Sequence, residues 1–207
     1  GANVYARYNT NLSRVVHRGI SLYRDILPNL RDWQICASID GTEEIGEYIR
    51  TGLKYDKWLE NYDQAVETAN TSRQVRVDFT ATLPGLFEVK NIQELAEKTG
   101  TDVLAKVIFS FTPDIILSPL ALPRELLDPW VDEIVNTLPN GAMRDVMLQL
   151  KNRPTFAEQW PDQYEQGLIK GKQRILQLEQ IRNDKLTLRD ILSNRQAVLE
   201  WWDSIGS

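Results

Sequence analysis

The chain has 207 residues, 42% of them hydrophobic and 26% charged, which suits one domain or one domain with an appendage and sets aside disorder, collagen and coiled coil. With 24 basic against 29 acidic side chains the formal charge is −5, a poor basis for electrostatic nucleic-acid binding. One Cys and one His exclude a disulfide framework and any Cys-rich or His-rich metal site built by this chain alone; no apolar run approaches the roughly 20 residues of a membrane span.

A cytoplasmic α/β protein with neither nucleic-acid nor membrane partners is the expectation. The chain enters a strand-like run directly from Gly1-Ala2-Asn3, with no initiator Met, which points to a start inside a domain. Residues 3–9 alternate, with Val4, Ala6 and Tyr8 on one face and Tyr5, Arg7 and Asn9 on the other, the period of a strand. Val16, Ile20, Tyr23 and Leu27 then follow at helical spacing, closed by Pro28-Asn29. A second strand is predicted over 34–40, with Ile35, Ala37 and Ile39 opposite Cys36, Ser38 and Asp40. Gly41 permits a sharp exit, and Thr42 is placed to cap a helix carrying Glu43 and Glu44 in its first turn. Gly52 interrupts that helix. A stronger one shows Trp58, Leu59, Tyr62, Ala65, Val66 and Ala69 on one face.

The alternation is clearest over 74–83, where Val75, Val77, Phe79, Ala81 and Leu83 oppose Arg76, Asp78, Thr80 and Thr82. A helix over 91–99 stops at Gly100, and 102–111 reads as a fourth strand, followed by a Pro-punctuated segment over 113–123. Beyond it only helices are visible. One starts at Asp128-Pro129, one covers Met143–Leu150, one covers Pro161–Arg182 with Leu168, Ile175 and Leu178 on its stripe, and one or two cover Thr187–Ile205. Residues 1–123 thus form an α/β part and 124–207 a helical extension with no second obvious core.

Strand starts near 3, 34, 74 and 102 suit βα units of roughly 30 residues, and intervening helices allow parallel pairing by right-handed crossovers. Strands covered on both faces would run nearly continuously apolar. These carry one polar face instead, as in a barrel enclosing a polar cavity; an antiparallel sheet with one wet face is the alternative. No nucleophile–base–orienter set is readable. His17 reads as a surface or packing residue, Cys36 as a small buried hydrophobe, and Lys170–Arg174 as a solvated helix face.

One order of motifs stands out. Asn9-Thr10-Asn11 closes a strand, Ser38-Ile39-Asp40-Gly41 closes the next, and Tyr48-Ile49-Arg50, Gly52 and Tyr55-Asp56 follow. This order resembles the radical S-adenosylmethionine (radical SAM) superfamily, most narrowly its twitch-domain-containing proteins. The stretch Ile116–Pro123 resembles the segment after that group's sixth strand. The resemblance implies a partial (β/α) barrel of which these are strands three to six, followed by the helical tail. It implies S-adenosylmethionine as cofactor, with Ser38 and Arg50 contacting it and Asn11, Asp78 and Thr80 lining the same cavity. It also implies that a [4Fe-4S] cluster belongs to the full-length parent only: the Cys-x-x-x-Cys-x-x-Cys and Gly-Gly-Glu motifs of the first two strands do not occur here. The partner implied is the missing N-terminal half of the same protein, and the small-molecule or peptide substrate carries no motif. For Arg50 an ion pair to Glu47 or Glu43 is the competing reading, and for Ser38 a strand-end backbone bond. A non-enzymatic α/β binding or assembly module is the functional alternative. A barrel aldolase or isomerase fragment lacks the Lys or paired carboxylates that would support it.

Overall fold

The computed structural model describes residues 2–183 and 185–206; Gly1, at which the chain opens, lies outside them. Strand β1 (Ala2–Thr10) leads through a small hairpin, β2 (Val16–His17) and β3 (Ile20–Ser21), into β4 (Leu30–Ile39). Helices α1 (Glu43–Ile49) and α2 (Tyr55–Thr68) connect β4 to β5 (Val75–Ala81), and α3 (Val89–Thr99) connects β5 to β6 (Asp102–Val107). Helices α4 (Arg124–Thr137), α5 (Ala142–Lys151), α6 (Phe156–Gln159), α7 (Tyr164–Arg182), α8 (Leu188–Leu192) and α9 (Gln196–Ser204) complete the chain.

The main sheet has the order β1-β4-β5-β6, every neighbouring pair parallel. Its register sets Tyr8 beside Ile35, Ala37 beside Val77 and Phe79 beside Ala105. The alternation read from the sequence therefore aligns across strands. Ile35, Ala37, Ile39, Val75, Val77, Phe79 and Ala81 form one apolar face, each almost fully buried. Trp58, Tyr62 and Ala65 of α2 and Val89, Ile92 and Ala96 of α3 bury their stripes in the same core. Gly100, at φ +66, ends α3 in the left-handed conformation a non-glycine residue adopts only under strain.

Several expected boundaries shift. The helix expected over Val16–Leu27 is a hairpin: Arg18 (φ +50) and Gly19 (φ +81) make the two-residue turn whose twist suits paired strands. A single π-turn over Leu22–Ile26 and a 3-10 turn over Leu27–Asn29 follow, and these bury Tyr23 and Leu27. Strand β4 begins at Leu30 because Ala2 already pairs there. Strand β6 ends at Val107, not 111. Its neighbour β5 stops at Ala81, whose carbonyl accepts from the Ile108 amide, so residues 109–111 have no strand to pair with. Val4 shares the face of Ala6 and Tyr8, for which alternation predicts cover by helices, yet it is 50% exposed at the start of an edge strand. Helix α4 starts at Arg124, one turn before Pro129, which sits inside it with an exposed ring.

The helical extension shares its core with the sheet: Leu127, Val131, Met147, Leu188 and Trp202 belong to the same contiguous apolar cluster as Val77 and Phe79. Arg124 ties three helices together. It donates to the Lys151 and Arg153 carbonyls and to the Glu158 carboxylate. That guanidinium, with the Thr155 amide, pulls the Glu158 carboxyl down to about 2. The cationic stretch Lys170–Arg174 is not merely solvated. Lys170 and Arg174 flank Asp114, and Lys172 donates to the Trp202 and Ile205 carbonyls at the end of α9. Leu178, expected on the buried stripe of α7, is 44% exposed.

Candidate functional site

The second face of the sheet carries the polar row. Alternation and register bring Arg7, Gln34, Cys36, Ser38, Arg76, Asp78 and Thr80 onto it, with Cys36 beside Arg76 and Ser38 beside Asp78. Its members hold one another. Arg76 Nε donates to Asp78 Oδ1 at 2.9 Å, and the Arg76 Nη2 atom is buried with no partner. Arg7 Nε donates to the Cys36 sulfur at 3.3 Å, and that sulfur, with the more distant Asp78 charge, raises the Arg7 pKa above its usual value. Cys36 is a fully buried small side chain, as expected, but a cation does stand beside it.

At the C-terminal end of β4 the chain turns sharply, and every part of the turn is held. A Cβ on Gly46 would lie 2.1 Å from the Gly41 carbonyl oxygen, and one on Gly85 would lie 2.8 Å from the Asp40 carbonyl oxygen, so only glycine permits these approaches. The buried Glu88 carboxylate accepts from the Thr42 amide at 2.8 Å and from the Thr42 hydroxyl. Thr42 thus stands at the N-cap of α1, but its side chain turns to Glu88 instead of capping the helix.

Asp40 and Arg50 form the strongest contact of this end. Arg50 Nε and Nη2 fork onto the Asp40 carboxylate at 2.7 and 3.1 Å, with the Arg50 side chain 28% and the Asp40 side chain 11% exposed. Neither ion-pair partner considered from the sequence is used: Glu47 instead takes the Tyr55 amide and Lys54. The forked geometry expected on a ligand carboxylate is met within the chain. Asn11, one residue beyond β1, is exposed, and its Oδ1 accepts locally from the Ser13 amide and hydroxyl. The Ser38 and Thr80 hydroxyls, partly exposed on the polar face, carry no hydrogen bond among the described residues. The backbone bond considered for Ser38 is therefore not formed by its side chain.

The remaining predicted segment, Tyr48-Ile49-Arg50, has a second job that sequence reasoning missed. The Tyr48 hydroxyl donates to the buried Glu179 of α7 at 2.7 Å, and Glu179 also accepts from the Leu188 amide at 2.6 Å. Arg182 lies 5.3 Å from the Tyr48 ring centre and donates to Thr51 at 2.7 Å. The helix bearing Arg50 is thereby latched to the C-terminal helices. A cavity of about 390 Å³ lies beside the latch, between the end of α1 and the end of α7. None of the five cavities described is lined by Ser38, Arg50, Asn11, Asp78 or Thr80.

Among the described residues no group of three His, Cys, Asp or Glu side chains could hold a metal ion, and no helix is long and apolar enough to cross a membrane. No family model, curated protein or solved structure matches this chain.

Proposed function

We propose that this chain is the C-terminal part of a radical SAM partial barrel, supplying its third to sixth strands and one wall of the S-adenosylmethionine site. The observation that supports this reading is the polar row on β1, β4 and β5 of a parallel sheet in chain order, leading to the Ser38-Ile39-Asp40-Gly41 turn at the strand ends where barrel enzymes bind their ligands. The iron–sulfur cluster does not fit these residues: the single Cys is buried and hydrogen-bonded by Arg7. The cluster and its ligands are assigned to the N-terminal half of the parent, the partner of the β1 edge.

The residues fit S-adenosylmethionine better, with altered roles. When bound, that cofactor supplies a cleavable sulfonium bond. Ser38 and Thr80 offer free hydroxyls to its polar groups. Asp78 holds Arg76 in place on the same face, and Asp40 orients Arg50 through Nε and Nη2, a pair in which Nη1 takes no part. NMR titration of the isotope-labelled chain with S-adenosylmethionine tests the reading. Shifts are expected at Ser38–Gly41 and Thr80. The Ser38→Ala, Thr80→Val double variant should bind about tenfold more weakly, the effect of losing two modest hydrogen bonds. Saturating ligand that leaves those amides unmoved would overturn the assignment. The second reading, an assembly module, is favoured by the exposed edge strand β1 and by Phe109 and Phe111, which are 76% and 83% exposed.

A further inference from the structure

The turn between α4 and α5 sets side by side two residues that can react with each other. Asn140 is the one asparagine of the chain that precedes a glycine. The side-chain carbonyl carbon of an asparagine is open to attack by the backbone nitrogen of the following residue, and a Cβ on that residue hinders the approach. Gly141 has no Cβ.

The fold leaves the reaction path open. Asn140 and Gly141 are both exposed, and the Asn140 side chain makes no hydrogen bond among the described residues. The Gly141 amide, which would be the nucleophile, stands at the N-cap of α5 and donates to no acceptor among the described residues. A Cβ built on Gly141 would meet no atom of the surrounding fold within 4 Å, so nothing crowds the ring that must form. Gly141 also has φ +153, a conformation that side-chain-bearing residues rarely adopt, so the turn requires the same glycine that makes it reactive. Asn136 supplies the contrast. It is exposed too, but it lies within α4 and is followed by Thr137, which carries a branched Cβ.

We propose that Asn140 is a site of spontaneous modification, converted through a succinimide to aspartate and isoaspartate, and that the isoaspartate form loosens the seat of α5 on the sheet. The Gly141 nitrogen bonds to the Asn140 side-chain carbonyl carbon. The bond from that carbon to the amide nitrogen breaks, and ammonia leaves with the proton that Gly141 gave up. One water molecule then opens the ring. Opening at the side-chain carbon yields aspartate; opening at the main-chain carbonyl yields isoaspartate, whose main chain is one carbon longer. That carbon enters beside the bonds that hold the turn. The Gly141 carbonyl accepts from the Asp145 amide at 2.9 Å, and Arg144 donates to the Val135 and Leu138 carbonyls at 2.6 and 3.2 Å. Helix α5, which this turn positions, packs against β6 at the sheet edge. Aspartate keeps the backbone unchanged and places a carboxylate near the positive end of the α5 dipole, where it is favourable.

The test is to age the full folded chain in mildly alkaline buffer and follow one tryptic peptide by liquid chromatography and mass spectrometry. Cleavage after Arg124 and Arg144 releases residues 125–144, which hold both Asn136 and Asn140. Two products, each heavier by about 1 Da and separated by retention, should arise at Asn140 at least about tenfold faster than at Asn136. Asn140→Gln keeps Gly141 but would have to close a larger ring, and should form neither product; Asn140→Asp supplies the aspartate standard. Hydrogen exchange of the aged protein should quicken in α5 and β6 and not in α2, and should stay unchanged in both variants. Asn140 surviving intact, or reacting no faster than Asn136, would overturn the proposal. Isoaspartate accumulating with unchanged exchange in α5 and β6 would overturn its effect on the fold. No S-adenosylmethionine enters this experiment, so the reading of the Ser38 end succeeds or fails separately.

Discussion

Arg50 shows how one side chain answers to two demands. Its planar fork matches a carboxylate, which is why its position after Ser38-Ile39-Asp40-Gly41 suggested a ligand contact. The nearest carboxylate turns out to be Asp40, ten residues back and 8% exposed. Removing Arg50 strands that charge. The cost of breaking a buried pair is roughly 3–5 kcal/mol, reduced here because the Arg50 side chain keeps some contact with water. Arg50→Ala is therefore expected to lower unfolding free energy by about 2–3 kcal/mol in urea titration, and Arg50→Lys by about 1, since a lysine keeps the charge without the fork. Equal stability of all three proteins would show that the pair contributes nothing to the fold. Cys36 makes the same point more simply: its burial was readable from an alternating strand, whereas its contact with Arg7 depends on the register of β1 against β4.

The elements differ in how openly the sequence declares them. Helix α6 is too short for apolar periodicity to reveal, although Thr155-Phe156-Ala157-Glu158 spells out a capping box in which Thr155 accepts from the Glu158 amide and Glu158 from the Thr155 amide. The hairpin of β2 and β3 was hidden for a better reason, since Val16, Ile20, Tyr23 and Leu27 satisfy a helical period by coincidence of four positions. Helix α7 carries a quieter signal, Gly167 and Gly171 one turn apart. A Cβ on Gly171 would meet the Asp114 carbonyl oxygen at 2.7 Å and Ile116 at 2.9 Å, so the bare backbone is what lets α7 lie on the 113–116 segment. In an isolated helix Gly→Ala gains about 1 kcal/mol. Here Gly171→Ala should instead destabilise by about 1–3 kcal/mol, the range for overpacking, and lower the thermal midpoint. A raised midpoint would mean that the α7 contact yields without cost.

Across the whole molecule the sheet is left with two edges, and they are treated differently. The β6 edge has α5 packed against it. The β1 edge is nine residues long, and Val4 and Tyr5 beside it are 50% and 58% exposed. An uncovered strand of that length recruits other chains. Light scattering coupled to size-exclusion chromatography should therefore find concentration-dependent association, reduced in Tyr5→Lys, because a charge on an edge strand opposes pairing. A monomer at every concentration would show that the edge is protected by other means. Both functional readings meet at this edge: a partner half supplies the missing strand in one, and another chain does so in the other.

Much of this architecture was legible in the residue order alone. Period-two alternation located β1, β4 and β5 and told the apolar face from the polar one, because a strand exposes alternate side chains to different surroundings wherever it lies in the chain. Gly52 and Gly100 marked helix ends for an equally local reason, the freedom of glycine at positive φ. What required the tertiary structure was every relation between distant segments: that β6 stops where β5 ceases to offer carbonyls, that Tyr48 belongs to Glu179 across 131 residues, and that Asp40 takes the Arg50 fork. Local conformation follows from each residue's own sterics, whereas partners are chosen by register and packing, which no stretch of sequence contains by itself.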